Sequence, residues 1–369
     1  MSVSELMFLL MAIETGLVSR GPASAEALWT IGSGGTLMAY DGWTSTPAAQ
    51  VDAGLPTGPF APSLCSGGGL LWVHALDGHL AIVDPAACSV VTRLTVPHAS
   101  PPGMGVSRYA FGALWFGRPG QLWRVTARGK RTVTELPDGF GCGACLPTAV
   151  AVTSDWLWLG TADDEGTKLL RVDPATGQVT LSARLPGIAI HDLGAGPPGL
   201  VVTAVNRPDV YVLDPDTGNI RWSTQIPDAS MVVFVYPTGD SVWAVGTEGA
   251  AIRLGGPKTP VAATVELGEE ATPGGADAGL GSLWIADEDW ETVIRVDTGT
   301  GRILARIPVI VGECFTPLAG ESTVWVLDWN GADGFSRIDP ATNQAVRIRE
   351  SSGVNDFSAA IAPQPAPAR

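Results

Sequence analysis

The chain reads as all-β: an eight-bladed β-propeller of four-stranded antiparallel blades, closed by its own C-terminal strand. Three observations lead there. A tryptophan returns about every 42 residues, an Asp-Pro turn recurs between strands, and an apolar segment without a partner is left at the far end of the chain.

The clearest copy of the repeat is Gly281-Ser282-Leu283-Trp284-Ile285, followed by Val293-Ile294-Arg295-Val296-Asp297 and then Arg302 to Pro308. The tryptophan recurs at 29, 72, 115, 158, 243, 284 and 325, and Val202 is the expected substitute in the remaining copy. Successive steps are 43, 43, 43, 44, 41, 41 and 41 residues. A constant step of this size with alternating apolar residues means one four-stranded sheet per repeat. Seven of the 13 tryptophans share this position, so they are packing residues between neighbouring sheets rather than ligand platforms.

The Asp-Pro segments at Asp173, Asp214 and Asp339 form the turns between third and fourth strands. Asp accepts local backbone hydrogen bonds, Pro fixes φ, and Gly (Asn343 in the last copy) takes positive φ. Ahead of each Trp strand lies a short apolar stretch suited to the innermost strand, as at 62–65, 108–111, 148–151, 189–192, 231–234, 275–278 and 316–319. None precedes Trp29, yet Phe357 to Ile361 has this character and no Trp strand follows it. The C-terminal strand therefore completes the first blade, which removes the exposed sheet edges of an open array.

Composition narrows the function. The chain of 369 residues is 45% hydrophobic and 16% charged, and its formal net charge is −15. That charge argues against a nucleic-acid partner, since phosphate binding needs clustered Lys and Arg. No apolar run is long enough to span a bilayer, so stable membrane insertion is not expected, and the chain reads as a monomer. Residues 1–25 differ from the rest: the octet Leu6 to Ile13 suits a leader core, and Ala23-Ser24-Ala25 has the small-x-small form of a cleavage site. Glu5 stands where a cation is usual, and the octet lies far from the cleavage motif. The expected organisation is a leader at 1–25, one propeller at 26–362 and a disordered tail at 363–369, in an extracytoplasmic protein, the alternative being a cytoplasmic one.

The Leu-Trp-Val/Ile, Arg-Val-Asp-Pro-Ala-Thr-Gly and Ile-Pro pattern resembles bacterial propellers of the YVTN and YncE-like group and of the streptogramin (virginiamycin B) lyase group. The resemblance implies the architecture over residues 26–362. The lyase likeness implies histidines on inner strands and a carboxylate after the Trp strand around Mg²⁺. Here it reaches only His191, Asp287 and Asp328. The segment Tyr211 to Trp222 is similar to a PQQ-type propeller repeat, but the adjacent Cys pair of such quinoproteins does not occur.

Sorting polar residues by loop gives the candidate site. Top-face loops, between second and third strands and between blades, carry Glu269, Glu270, Asp287, Glu288, Asp289, Glu313 and Asp328, with Trp290 and Trp329 beside them. Asp287, Asp328 and Glu313 are candidate ligands for a divalent cation, Ca²⁺ or Mg²⁺, the one cofactor the sequence leaves open. Trp290, Trp329, Glu270 and Asp289 are candidate contacts for a cationic or sugar-like small molecule or a protein. His191, followed by Asp192, is the histidine that the repeat puts on the channel wall and the candidate general acid–base.

Cysteines add little chemistry. Cys142 and Cys145 lack the second pair that a zinc site needs, and Cys314 has no partner in the repeat. Cys65 and Cys88 share a blade but sit three strand spacings apart, beyond disulfide reach. Hydrolase and phosphate-loop motifs are absent. The expected function is a non-catalytic binding module working from an acidic top face; the alternative is a metal-dependent lyase or lactonase-like enzyme.

Overall fold

Strands of alternating polarity, separated by turns rich in Gly, Pro and Asp, pair with their chain neighbours, and the computed structural model is accordingly all-β. It describes residues 26–363 apart from 33, 43–44, 57–61, 76, 97–106, 119, 138–148, 164, 206, 227–231, 247–248, 269–270, 310–314, 329–333 and 349–356. Eight four-stranded antiparallel sheets make an eight-bladed β-propeller. The leader-like residues 1–25 and residues 364–369 lie outside the described part, as do Cys142, Cys145 and Cys314. Two compact units share the blades. One holds blades 8 (Phe315–Ile348), 1 (Glu26–Asp52 with Phe357–Pro363), 2 (Ser63–Thr95) and most of 3 (Ser107–Glu135); the other holds the remainder of blade 3 and blades 4 (Ala149–Pro186), 5 (Ile190–Gln225), 6 (Val232–Glu266) and 7 (Pro273–Pro308).

Blade 1 joins the two chain ends. Its Trp strand Glu26–Gly32 pairs on one side with Thr36–Asp41 and on the other with Phe357–Pro363, so the C-terminal strand supplies the innermost position as expected. That strand runs to Pro363, which pairs with Glu26, two residues beyond the segment expected from sequence.

The seven repeat tryptophans are buried, and four of them show the packing that the repeat requires. Trp158 shares a core with Leu200 and Val202 of the next blade, and Trp243 with Leu283 and Ile285. Trp29 packs with Leu71 and Val73, and Trp72 with Leu114 and Phe116. Each indole thus fills the gap between two twisted sheets by lying between the residues that flank the next blade's Trp position. An indole taking about 200 Å² out of water contributes up to about 5 kcal/mol at the usual area coefficient.

Blade 5 departs from the sequence expectation. Val201, not Val202, occupies the tryptophan's register: it pairs with Gly194 and Val212 as Trp284 pairs with Asp277 and Arg295. Val202 faces the opposite way, into the core of Trp158. The next residue in the Val201–Val212 row is Trp222 on the outer strand, packed against Val201's cluster. Blade 5 keeps its indole, moved two strands outward. The steps around it become 43 and 42 residues, so the apparent irregularity was a register error of one.

The indole N–H separates the blades into two kinds. Where the hairpin into the Trp strand is a two-residue turn, Nε1 donates to the carbonyl five residues back: Trp72 to Gly67 at 3.1 Å, Trp115 to Ala110 at 3.0 Å and Trp284 to Gly279 at 3.1 Å. These turns have positive φ at both central residues, Gly68-Gly69, Phe111-Gly112 and Leu280-Gly281, which matches the strand twist. Trp158, Trp243 and Trp325 follow longer hairpins, and their buried Nε1 atoms have no hydrogen-bond partner. Trp→Phe substitution is therefore expected to cost about 1 kcal/mol more at 72, 115 or 284 than at 158, 243 or 325. Urea denaturation of the six variants checks this; equal costs in the two groups would show that the indole N–H does not matter.

Arginines of the third strands clasp neighbouring blades. Arg171 donates to the Asp216 carbonyl at 2.9 Å, Arg253 to the Thr298 and Gly299 carbonyls, and Arg337 to the Gly42 carbonyl at 3.1 Å. The Asp-Pro aspartates do what their sequence implied. Asp214 accepts from the amides of Asp216 and Thr217, and Arg221 beside it holds its carboxyl down at about 2.

Candidate functional site

An innermost strand is a sheet edge, so half of its amides face away from the ladder and need other acceptors. In blades 5 to 7 side chains supply them. Asp192 of the strand Ile190–Gly196 accepts from the Leu193 amide at 2.7 Å and, across to the next blade, from the Val235 amide at 2.8 Å. Tyr236 of Val232–Pro237 accepts through its hydroxyl from the Ala276 amide of blade 7 at 2.8 Å. Asp277 of Pro273–Gly279 accepts from the Ala278 amide at 2.8 Å. All three side chains are buried, and burial together with Asp192 and Asp277 pushes the Tyr236 hydroxyl well above its ordinary value.

This arrangement bears directly on His191. The ladder is bulged between Ile190 and Asp192, and His191 is the inserted residue. Blades 6 and 7 are bulged at the same point, between Val232 and Phe234 and between Pro273 and Gly275. The imidazole stands edge-on to Phe234 with ring centroids 5.9 Å apart, and both ring nitrogens are enclosed. Both oxygens of the adjacent Asp192 are engaged by backbone amides. The His191 ring thus lies on the inner strand of blade 5 against Phe234 of blade 6. Asp192→Ala is expected to leave the Val235 amide without its acceptor and to speed its hydrogen exchange at least tenfold, with blade 4 amides unchanged. Uniform acceleration across the chain would instead mean global destabilisation.

The loop that follows the blade 7 Trp strand, Ser282–Asp287, gathers three candidate residues. Asp287 is 1% exposed and accepts from the Thr272 amide at 3.2 Å, while Asp289 accepts from the Thr272 hydroxyl at 2.5 Å. Arg306 stands 3.8 Å from Asp287 and donates to the Leu267 carbonyl. Two carboxylates and one guanidinium therefore hold the crossover from blade 6. The Glu288 carboxylate lies against Gly274 at the bulge, in space that any side chain there would occupy. Trp290 projects outward at 58% exposure, the highest among the described large apolar residues.

Asp328 occupies the corresponding position of blade 8 at the end of Val324–Asp328, opposite Phe315, and is fully buried. Both post-Trp aspartates are thus buried, Asp287 against the crossover from blade 6, while Asp289 and Trp290 form the outward part of the blade 7 loop. Glu270, Glu313 and Trp329 lie outside the described residues. Among the described residues no group of three or more His, Cys, Asp or Glu is placed to hold a metal ion. No helix there is long and apolar enough to cross a membrane. Cys65 is buried and Cys88 half-buried, and neither is in a disulfide, as their strand positions implied.

Burial pushes the Asp287 carboxyl up, against the opposing pull of the Thr272 amide and Arg306. A raised folded-state pKa means that the ionised form is penalised in the fold at neutral pH. The penalty is relieved as pH falls through that raised value toward the ordinary carboxylate range. Asp287→Asn, which keeps the acceptor for Thr272, is expected to gain stability over the natural chain at pH 7. That gain should shrink on acidification. Thermal midpoints at pH 7 and pH 4.5 test the sign; a gain that grows on acidification contradicts it.

No protein-family model matches the chain, and no curated protein sequence does either. Solved structures do. AztD from Citrobacter koseri superposes with TM-score 0.66 at 10% identity, covering 93% of this chain and 99% of that one. Dihydro-heme d1 dehydrogenase NirN in complex with DHE gives 0.66 at 17% identity, covering 94% and 77%. Virginiamycin B lyase from Staphylococcus aureus gives 0.54 at 16% identity, covering 72% and 90%. Identities this low carry the propeller fold and no activity.

Proposed function

We propose that the chain is a binding module, a rigid propeller that presents the blade 7 loop to a cationic ligand, either a metal ion or an amine-bearing molecule. The reading rests on Trp290. A propeller of this construction hides its repeat tryptophans, yet this one stands in the open next to the exposed Asp289, on a loop whose Asp287 is buried and whose Glu288 lies against Gly274. An indole face attracts a cation through its quadrupole, and neighbouring carboxylates add charge attraction. Asp287 and Asp289 hold the loop on Thr272, so the outward groups sit on a supported frame. The protein works outside the cytoplasm in this reading, which the leader-like residues 1–25 support.

Calorimetric titration with Ca²⁺ and, separately, with tetramethylammonium tests it. At least one is expected to bind with a dissociation constant in the millimolar range or tighter, and Trp290→Ala is expected to weaken amine binding about fivefold or more. Absence of heat with both probes overturns the module reading. A stoichiometric divalent ion in the purified protein, lost in Asp287→Ala, would favour the metal-assisted enzyme instead.

A further inference from the structure

The stretch from the outer strand of blade 2 through blade 3 runs against the charge of the chain. Residues 85–134 hold seven of the 22 cations and none of the 37 carboxylates, which leaves 15 cations against all 37 carboxylates, a balance of −22, elsewhere. The turn between third and fourth strands departs from the repeat here as well. Blades 2, 4, 5 and 8 open that turn on Asp-Pro, whereas blade 3 turns through Thr126-Ala127-Arg128-Gly129-Lys130. The Thr126 amide donates to the Lys130 carbonyl at 3.0 Å, the Lys130 amide to the Thr126 hydroxyl at 3.2 Å, and Gly129 takes φ 74°. Arg128 and Lys130 are exposed, and neither side chain has an ion pair or hydrogen bond among the described residues. Arg184, Arg221 and Arg306 by contrast each stand beside a carboxylate, at 2.7, 2.6 and 3.8 Å.

Two further cations join the turn. Arg131 opens the outer strand Arg131–Glu135 and donates to the Thr95 carbonyl at 2.6 Å, at the end of the blade 2 outer strand Ser89–Thr95. Arg93 of that strand donates to the Ala53 carbonyl at 2.7 Å and the Asp52 carbonyl at 3.2 Å, while the Asp52 carboxylate accepts from the Gly54 amide at 2.7 Å. A side chain at Gly129 would touch Leu94 and Thr92, so the cationic turn lies against the same strand. Both guanidinium groups stay exposed and keep donors in reserve, and their backbone contacts hold them ready.

We infer that Arg93, Arg128, Lys130 and Arg131 form a docking surface for an acidic, extended polypeptide segment of a partner protein. The partner is a short segment because charges are screened within about 8 Å at physiological salt. Such a segment meets only the four cations, whereas a membrane surface or a nucleic acid would also face the acidic remainder. It is extended because Arg131–Glu135 is the outer edge of its sheet, whose unpaired backbone groups accept an added strand. Val91, 51% exposed and two residues from Arg93, supplies an apolar contact between the charges. This surface is separate from the blade 7 loop and does not rest on the cation reading.

The test titrates the full chain into fluorescein-labelled poly-L-glutamate of about 20 residues, read by fluorescence anisotropy. A protein of charge −15 repels such a probe unless a local patch holds it. Saturable binding is expected at about 20 mM salt, weakened about fivefold or more at about 200 mM. Arg128→Ser/Lys130→Ser, which removes no described contact, should weaken binding about threefold or more, and adding Arg131→Ser about tenfold, with thermal midpoints of the double variant unchanged. Absence of saturable binding, or equal binding by both variants, overturns the surface. Tighter binding to phosphatidylglycerol vesicles or to a single-stranded oligonucleotide, lost in the same variants, overturns the polypeptide as its partner.

Discussion

Twisted four-stranded sheets placed face to face leave wedge-shaped gaps, and the whole architecture depends on how those gaps are filled. The indoles at 29, 72, 158 and 243 each lie between the two residues that flank the next blade's equivalent position. Because the contact is made blade to blade, a side chain on one strand fixes the spacing of two sheets. The arginine clasps repeat the device toward the periphery, where Arg171, Arg253 and Arg337 reach turns one blade on. Near the axis, Asp192 and Tyr236 do the same for inner-strand amides. Interblade adhesion therefore comes in three layers, apolar in the middle and polar at both radii.

That division explains why so few polar residues are free to do chemistry. The Asp-Pro aspartates cap turns, Asp192 and Asp277 satisfy edge amides, and Asp287 secures a crossover. A count of acidic residues overstates the reactive surface of such a scaffold. What stands apart among the described residues is the short stretch after Asp287, where Trp290 is exposed next to Asp289. The scaffold is periodic, so departures from its period are the informative places.

The fold was legible in the sequence because the repeat puts one large residue at one register position in seven blades, and a 42-residue period has few structural meanings. The closing strand was legible by elimination, since Phe357 onward had nowhere else to go. Blade 5 was misread by one residue because valine at 201 and 202 offers no size contrast; only pairing with Gly194 and Val212 distinguishes them. The candidate site was legible in part. Residue type and loop position identified Asp287, Asp289 and Trp290, but not that Asp287 turns inward. Nor could the sequence show that the His191 ring meets Phe234, because the bulge that carries His191 is a backbone event. Asp192 and Tyr236 were passed over, although a lone charged or hydroxyl group on an apolar strand is the signal that would have marked them.

Closure through blade 1 also orders events in time. Glu26 and the strand that completes its sheet, Phe357–Pro363, are separated by almost the entire chain, so the first blade to leave the ribosome is the last that can be finished. Until the final residues arrive, the Trp29 strand has an open edge and its indole lacks the Pro363 carbonyl that it meets at 3.5 Å in the finished fold. The delay makes completion of the fold wait on the end of synthesis: the first blade is held unfinished until the strand Phe357–Pro363 reaches it.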